Sequence, residues 1–350
     1  MNKKTDHRES VSAIRKEERL ESNSSLRPPP SALRPPPSSL PLVIVNPASA
    51  GGATGAAWPG MASDLREHFG PFQCVFTERG GGGREIAKRE AAAGRQLIIA
   101  CGGDGSVSEA ANGILESGAG AELGILPSGT GGDFRRTLGI PTRPADAALA
   151  LRRGRTELID VGRVEYVNPR GESESRYFVN IASCGMGGEV IERVKKEKSR
   201  WLPARHTSLF GGRAAYAYAA LQTTLTYERP TVVISLDGGE ERRLTVANLC
   251  VANARYFGGG MKIAPDAKLD DDQLDVIAIG DMDALDILSN VHKLYLGTHL
   301  GLQQVHHAPA RRLTVRAIDG EPVLLEVDGE LVGTLPATFE VVPRALRVRC

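Results

Sequence analysis

Leu97-Ile98-Ile99-Ala100-Cys101 runs directly into Gly102-Gly103-Asp104-Gly105-Ser106, and about 25 residues later Leu123-Gly124-Ile125-Leu126 runs into Pro127-Ser128-Gly129-Thr130-Gly131-Gly132-Asp133. Each apolar run is short and bounded by glycine, the pattern of a strand buried on both faces of a parallel sheet. Each loop therefore leaves the carboxyl end of a strand, the edge at which open α/β sheets bind ligands. Glycine lets the backbone approach a polyphosphate with no Cβ in the way, and the N–H groups at the start of a following helix favour negative charge. The pattern predicts a phosphate site, with a nucleoside triphosphate as its natural guest.

A single glycine pair after a strand need do no more than let the chain reverse beside a helix. Here the loops come as a pair, and they carry side chains that turn formation does not require. Asp104 and Ser106 stand in the first, and Ser128, Thr130 and Asp133 in the second. Their hydroxyls and carboxylates suit phosphate oxygens and magnesium.

The 350 residues are enough for two domains, and 41% apolar with 24% charged residues is the balance of a globular protein with a substantial core. A net charge of +1 gives no general pull towards nucleic acid, so no nucleic-acid partner is expected. Cys74, Cys101, Cys184, Cys250 and Cys350 are odd in number, widely spaced and free of zinc-type spacing, which fits a reduced, cytosolic setting. Residues 1–20 alternate charges instead of forming a secretory signal, and no run approaches the ~20 apolar residues of a membrane helix.

Residues 1–40 are polar and then proline-rich, with Leu26-Arg27-Pro28-Pro29-Pro30-Ser31 nearly repeated at Leu33-Arg34-Pro35-Pro36-Pro37-Ser38, and predict a disordered or polyproline arm. From Leu42 strands and helices alternate. Strands are expected at Leu42 to Val45, Cys74 to Thr77, Leu97 to Ala100 and Leu123 to Leu126, with helices near Trp58 to Phe69, near Arg84 to Ala93, from Ser106 and near Ala145 to Arg152. That order predicts a parallel α/β domain over residues 41–156. From Glu157 the pattern becomes β-rich, with extended segments at Arg176 to Ile181, Thr231 to Leu236, Arg243 to Ala252, Leu274 to Ile279, Arg312 to Ala317 and Val323 to Val327, and predicts an antiparallel β domain over residues 157–350. Two helices interrupt it, near Gly212 to Thr224 and near Met282 to Leu296. The first is preceded by Lys195, Lys196, Lys198, Arg200, Trp201 and Arg205, a mix suited to an anionic membrane surface or to a solvated charged loop.

From about Leu42 to its end the chain resembles the diacylglycerol kinase catalytic domain family, which includes bacterial diacylglycerol kinases, related bacterial lipid kinases, sphingosine kinases and ceramide kinases. The resemblance rests on Val45-Asn46-Pro47 with Gly51-Gly52 behind it, on Gly102 to Ser106 followed by Glu109 and Asn112-Gly113, on Pro127-Ser128-Gly129-Thr130 with Asp133-Phe134, and on Asp328-Gly329-Glu330. It implies an ATP-dependent lipid kinase with an N-terminal α/β domain like that of phosphofructokinase, a C-terminal antiparallel β-sandwich and the nucleotide in the cleft between them. The last strands, after Asp-Gly-Glu, are expected to return towards the first domain.

By position, the resemblance assigns nucleotide contacts to Asn46, Pro47, Ala48, Ser49 and Ala50, to Thr77, to Gly102, Gly103, Asp104, Gly105, Ser106, Val107 and Ser108, and to Gly129 and Thr130, with Glu109 supporting that pocket. Transfer to an alcohol needs a carboxylate to take the hydroxyl proton and magnesium to neutralise developing charge. Asp328 is the expected base and Glu330 the runner-up, since both lie on one short turn. Read without the family, Asp328 would be the cap of an ordinary β-turn.

The segment Ala264 to Gln273 resembles a loop that in bacterial members holds a structural magnesium, which by position would use the carbonyls of Lys268 and Gln273 and the side chain of Asp271. Read as residues alone, it is equally a solvated acidic turn. The chain departs from the family at Ser106, where threonine is usual, at Gly132, where asparagine commonly precedes the aspartate, and at Gln273, which follows Asp272 where Asp-Gly is usual.

The resemblance implies phosphorylation of a membrane lipid, most naturally diacylglycerol to phosphatidic acid, by a peripheral enzyme at the cytosolic face of the inner membrane, with pairing into homodimers in keeping with such families. Two alternatives stand beside it. NAD kinases also carry a Gly-Gly-Asp-Gly loop, and a nucleotide- or lipid-binding regulator with a decayed site would fit Gly132 and the altered acidic loop. His206, His292, His299, His306 and His307 show no paired metal spacing and are expected on the surface or in packed positions.

Overall fold

The computed structural model describes residues 40–129, 131–201, 222–224, 226–282, 284–318 and 322–350. Four parallel strands open the chain: β1 (Leu42–Val45), β2 (Gln73–Phe76), β3 (Leu97–Gly102) and β4 (Glu122–Pro127), in the order β2-β1-β3-β4. Every residue of β1 and β3 is buried, as the unbroken apolar runs require of a sheet covered on both faces. The crossovers are helices α1 (Ala53–His68), α2 (Gly82–Ala92) and α3 (Asp104–Ser117), and α4 (Asp133–Thr137) and α5 (Pro144–Arg153) follow β4. Proline at the first turn of α5 is tolerated because that N–H has no helical partner in any case.

The antiparallel region holds β5 (Thr156–Val167), β6 (Ser173–Phe178), β7 (Ile181–Gly185), β8 (Thr231–Leu236), β9 (Arg242–Thr245), β10 (Asn248–Ala252), β11 (Leu274–Ile279), β12 (Val305–Ala310), β13 (Arg312–Ala317), β14 (Leu324–Val327) and β15 (Glu330–Arg349). Helices α6 (Met186–Trp201) and α7 (Ala284–Leu296) interrupt it. The result is an N-terminal α/β part with parallel strands and a C-terminal antiparallel β-sandwich region, as expected.

The two parts share one strand. The first half of β15 pairs antiparallel with β13 and β14, its length with β5, and Arg347–Arg349 pairs in parallel with β4 beside Glu122–Gly124. Leu346 and Val348 accordingly lie in the core of the parallel sheet, while Phe339 and Leu335 lie in that of the sandwich. Twenty residues containing Pro336 and Pro343 do not look like one strand in sequence. Both prolines fall at shifts of register against β5, between Thr334 and Ala337 and between Val342 and Leu346, where the ladder needs no N–H.

The structure corrects several boundaries. The strand expected over Arg176 to Ile181 is two, β6 and β7, and the one expected over Arg243 to Ala252 is also two, broken at Val246–Ala247. Those amides pair elsewhere, with Pro230 and Ile279. Lys195 to Trp201, expected as the approach to a helix, are themselves helical. Arg205 and His206 lie outside the described residues, as does the expected helix near Gly212 to Thr224 apart from Gln222–Thr224, which is helical. Among the described residues no helix is long and apolar enough to cross a membrane.

Candidate active site

Three loops meet at the carboxyl ends of β1, β3 and β4. Asn46 leaves β1 with its amide bonded to the Cys101 carbonyl, its side-chain oxygen accepting the Ala48 amide at 3.1 Å and its Nδ2 donating to Ser106 Oγ at 3.2 Å. Ser49 Oγ accepts the Gly103 amide and donates to the Ser128 carbonyl, both at 3.1 Å. Thr54 Oγ1 donates to the same carbonyl at 3.0 Å. Ala50, Gly51 and Gly52 all take left-handed conformations, which folds the first loop back beneath α1. Pro47 accepts the Gly55 amide, and Thr77, at the end of β2, bonds through its amide to Val45.

The two glycine-rich loops touch backbone to backbone: a Cβ on Gly129 would lie 2.9 Å from Gly103 Cα, and one on Gly131 2.7 Å from an oxygen of Asp104. Close approach therefore requires glycine at 129, where the contact is with backbone, whereas at 131 it is with the end of the Asp104 side chain; neither residue is left-handed. Asp104 accepts the amides of Gly132 at 2.8 Å and Phe134 at 3.1 Å, bracing the second loop and the start of α4. Gly132 itself is left-handed, a conformation open to asparagine and easier for glycine. Glu109 accepts the amides of Gly81 and Gly83 at 2.9 and 2.8 Å and so fixes the entry to α2 at the same edge. Val107 is buried in the core, so its side chain is turned away from this surface, and Gly105 has open space beside it. Thr130 lies outside the described residues.

Asp328 and Gly329 form the two-residue turn between β14 and β15, with φ of 48° and 86°. Two left-handed residues give a hairpin turn matched to strand twist, and Asp-Gly is a favoured sequence for it. The Asp328 carboxylate does not cap its own turn. It crosses to the bend between β6 and β7, where it accepts the amides of Val179, Asn180 and Ile181 at 3.2, 3.0 and 3.1 Å. Those donated amides are why the expected single strand is broken. Only 9% exposed, Asp328 neighbours the buried hydroxyl of Ser108 on α3, so the turn of the sandwich reaches the helix of the first glycine loop. Burial pushes its carboxyl up from the ordinary carboxylate range, against the opposing pull of Ser108 and the Val179 and Asn180 amides. Glu330 differs: its side chain is 42% exposed and pairs with Arg176 at 2.8 Å.

Sequence patterns did not single out Glu326, Ser183, Arg176 or Thr54. Glu326 accepts Ser183 Oγ at 2.7 Å and the Gly329 amide at 2.6 Å, buried beside Asp328. A carboxylate inside Leu324-Leu325-Glu326-Val327 was the available signal, because an apolar strand accepts a charge only at a cost.

The acidic loop stands apart from these groups in the contacts it makes. Gln273 donates its amide to Asp271 at 3.3 Å, and Asp272, left-handed at φ 59°, donates its amide to buried Asp160 at 2.7 Å and pairs with Arg311. Asp272 thus makes the sharp turn for which Asp-Gly is usual. Burial raises the Asp271 carboxyl, and the nearby charges of Asp275 and Asp160 raise it further. The surplus negative charge around Asp271 is of the kind that a hard cation such as magnesium relieves. Among the described residues no three His, Cys, Asp or Glu side chains gather as a metal site. His299 is packed, its Nε2 3.0 Å from the Ile263 carbonyl, and His307 pairs with Asp275.

Comparison with known proteins agrees with this geometry. Residues 41–164 match the diacylglycerol kinase catalytic domain, and residues 195–350 match the YegS C-terminal NAD kinase beta sandwich-like domain. A diacylglycerol kinase of Mycobacterium tuberculosis is 31% identical over 310 residues, covering 87% of this chain and 93% of its own. The chain belongs to the diacylglycerol kinase catalytic domain family. It is a lipid kinase, and a kinase family implies ATP as phosphoryl donor. A Pseudomonas aeruginosa protein named "Probable lipid kinase YegS-like" is 32% identical over 269 residues, 77% of this chain and 81% of that one. A crystal structure of a diacylglycerol kinase from Bacillus anthracis superposes with a TM-score of 0.63 over 89% of this chain and 96% of that one, and at 22% identity it speaks to the fold alone. The NAD kinase alternative is echoed in the fold description of the sandwich, while these relatives carry the names of lipid kinases.

Burial pushes the Glu326 carboxyl up from 4.5 to about 7, with Asp328 adding to the rise and Ser183 and Gly329 opposing it. A raised value means that the protonated group favours the fold below about pH 4.5 and that this contribution is lost as pH climbs through 7. The kinase should lose on the order of a few kcal/mol of stability across that window, and Glu326→Gln should remove that segment of the curve. Urea midpoints of both proteins across the window check this, and parallel curves would exclude Glu326 as the group.

Proposed function

We propose that this kinase transfers the γ-phosphate of ATP to the free hydroxyl of diacylglycerol at a membrane surface, giving phosphatidic acid, with Asp328 as the base. The observation that carries the assignment is the buried Asp328 carboxylate, set between the amides of Val179–Ile181 and Ser108 of the glycine-loop helix. Burial makes it a stronger proton acceptor than a surface carboxylate. Glu330 is compensated by Arg176, which favours it as the partner of that guanidinium over the role of base. The loops at Asn46–Ala50, Gly102–Ser108 and Gly129 would hold the nucleotide, with the N-terminus of the 14-residue α3 favouring its phosphates.

Magnesium bound with the nucleotide would neutralise charge on the transferring group. A second ion would be held by Asp271 and the carbonyls of Lys268 and Gln273. The names of the relatives support diacylglycerol as the acceptor. A peripheral approach to the bilayer is supported by α7, whose Leu285, Leu288, Val291, Tyr295 and Leu296 are exposed on one side of the helix. Free cysteines fit a reduced, cytosolic location.

Asp328→Asn is expected to lower transfer by about 10²- to 10⁴-fold while ATP binding persists, and Glu330→Gln to lower it far less. Thin-layer separation of labelled products from total lipid extract checks both the base and the acceptor. Wild-type rates in Asp328→Asn overturn the base, label in another lipid or in NADP overturns the acceptor, and no turnover in the wild type would leave a binding protein. Asp271→Asn should raise the magnesium concentration needed for half-maximal rate and lower the melting temperature in magnesium but not in EDTA, and equal melting shifts in both buffers would remove the structural ion. Leu285→Glu with Leu296→Glu should slow phosphorylation of diacylglycerol in vesicles roughly tenfold while sparing the rate in detergent micelles. Unchanged vesicle rates would take α7 away from the membrane.

A further inference from the structure

One buried ionisable group beside the site has no part in the mechanism above. Glu326 is flanked by Leu325 and Val327, both fully buried, on a strand paired to β7 and β15. An apolar residue of similar volume there would avoid the cost of removing a carboxylate from water. What the carboxylate provides instead is two directed bonds: Ser183 Oγ donates to one oxygen at 2.7 Å, and the Gly329 amide donates to the other at 2.6 Å. The register shift between Leu325 and Glu326 interrupts the pleat at this point.

Gly329 is the second residue of the left-handed turn whose first residue is Asp328. Aspartate adopts the left-handed region at modest cost, so the turn forms readily and its exact placement is set by the bonds made around it. The holding bonds are few. The Asp328 amide donates to Ile181 at 2.9 Å, the Asp328 carboxylate accepts the three amides of the β6–β7 bend, and Glu326 grips Gly329. The first two anchor the turn to the bend on one side. Beyond the Val327–Glu330 pair that closes the hairpin, Glu326 ties the turn to its own strand through a side chain that Ser183 holds from β7.

We propose that Glu326 is the positioning residue of the transfer reaction: anchored by Ser183, it clamps the Gly329 amide and thereby fixes the turn that aims Asp328. This rests on Asp328 as the proton acceptor. Loss of the clamp displaces the base without touching the loops that hold the nucleotide, so its signature is a fall in kcat with the KM for ATP unchanged. Glutamine preserves both bonds, offering an oxygen to Gly329 and an amide to Ser183, whereas leucine keeps the volume and loses both.

Steady-state kinetics of the full chain with ATP and diacylglycerol in micelles test the clamp. Glu326→Leu should lower kcat about 100-fold, the scale of a misplaced catalytic group, with the KM for ATP within about twofold, and Glu326→Gln should restore it to within about fivefold of wild type. In an Asp328→Asn background, Glu326→Leu should cause little further loss, because its effect passes through Asp328. A wild-type kcat in Glu326→Leu, equal damage from glutamine and leucine, or additive losses in the double variant would each overturn the proposal. Should Glu326→Leu fail to fold, Ser183→Ala takes its place, with an expected roughly fivefold fall in kcat and an unchanged KM for ATP, and a normal kcat there would be equally fatal. Failure of the base assignment is separate: it would appear as full activity in Asp328→Asn alone.

Discussion

The interaction on which this site depends is one carboxylate reaching across a seam. Asp328 leaves a hairpin turn of the sandwich and takes the amides of Val179, Asn180 and Ile181, and in doing so it breaks what would otherwise be one strand into β6 and β7. Those amides could not serve both a ladder and an anion, and the anion wins because an unpaired buried carboxylate is far costlier than a bend in a strand. The same bond brings Asp328 beside Ser108, on the helix that the first glycine loop opens. A single choice of partner thus sets a strand boundary, a lobe contact and the location of the candidate base.

Around that seam, several buried polar groups are connected across elements, although Asn180 Oδ1 and Asn253 Oδ1 are buried without a partner. Asn253 donates to the carbonyls of both Asp160 and Val179, joining the bend that holds Asp328 to β5. Asp160 in turn accepts the amides of Asp272 in the acidic loop and of Arg344 near the last register shift of β15. Asn112, fully buried on α3, is bonded to both the amide and the carbonyl of Tyr177. Directed bonds between distant segments restrict the ways in which the sandwich can sit against the parallel sheet. The 20-residue β15, hydrogen-bonded on both sides of the seam, restricts it further.

The edge where the glycine-rich loops meet is built on contact distance. Gly103 and Gly129 pack backbone against backbone, Ser49 bonds to both loops, and Asp104 braces the second loop instead of standing free at the surface. Asp104 and Glu109, which composition would count as negative charge repelling a polyphosphate, each have their oxygens turned to backbone amides. Their charge is directed into holding the loops.

The order of strands and helices, the two glycine loops and the Asp-Gly turn could be read from the chain, because each is governed by interactions between near neighbours: alternation of apolar residues, the start of a helix after a strand, and the left-handed preference of Asp-Gly. The path of β15 through Pro336 and Pro343 could not, since a proline fits inside a strand paired on both sides only where the ladder asks no N–H of it, and that depends on the register of distant partners. Nor could the break at Val179, the clamp of Glu326 on Gly329 or the pairing of Arg176 with Glu330. Sequence determined that two carboxylates would share one short turn. Tertiary structure decided that Asp328 would be buried against three amides 147 to 149 residues away and Glu330 left half exposed beside a guanidinium, because desolvation and long-range hydrogen bonding exist only once distant segments have met.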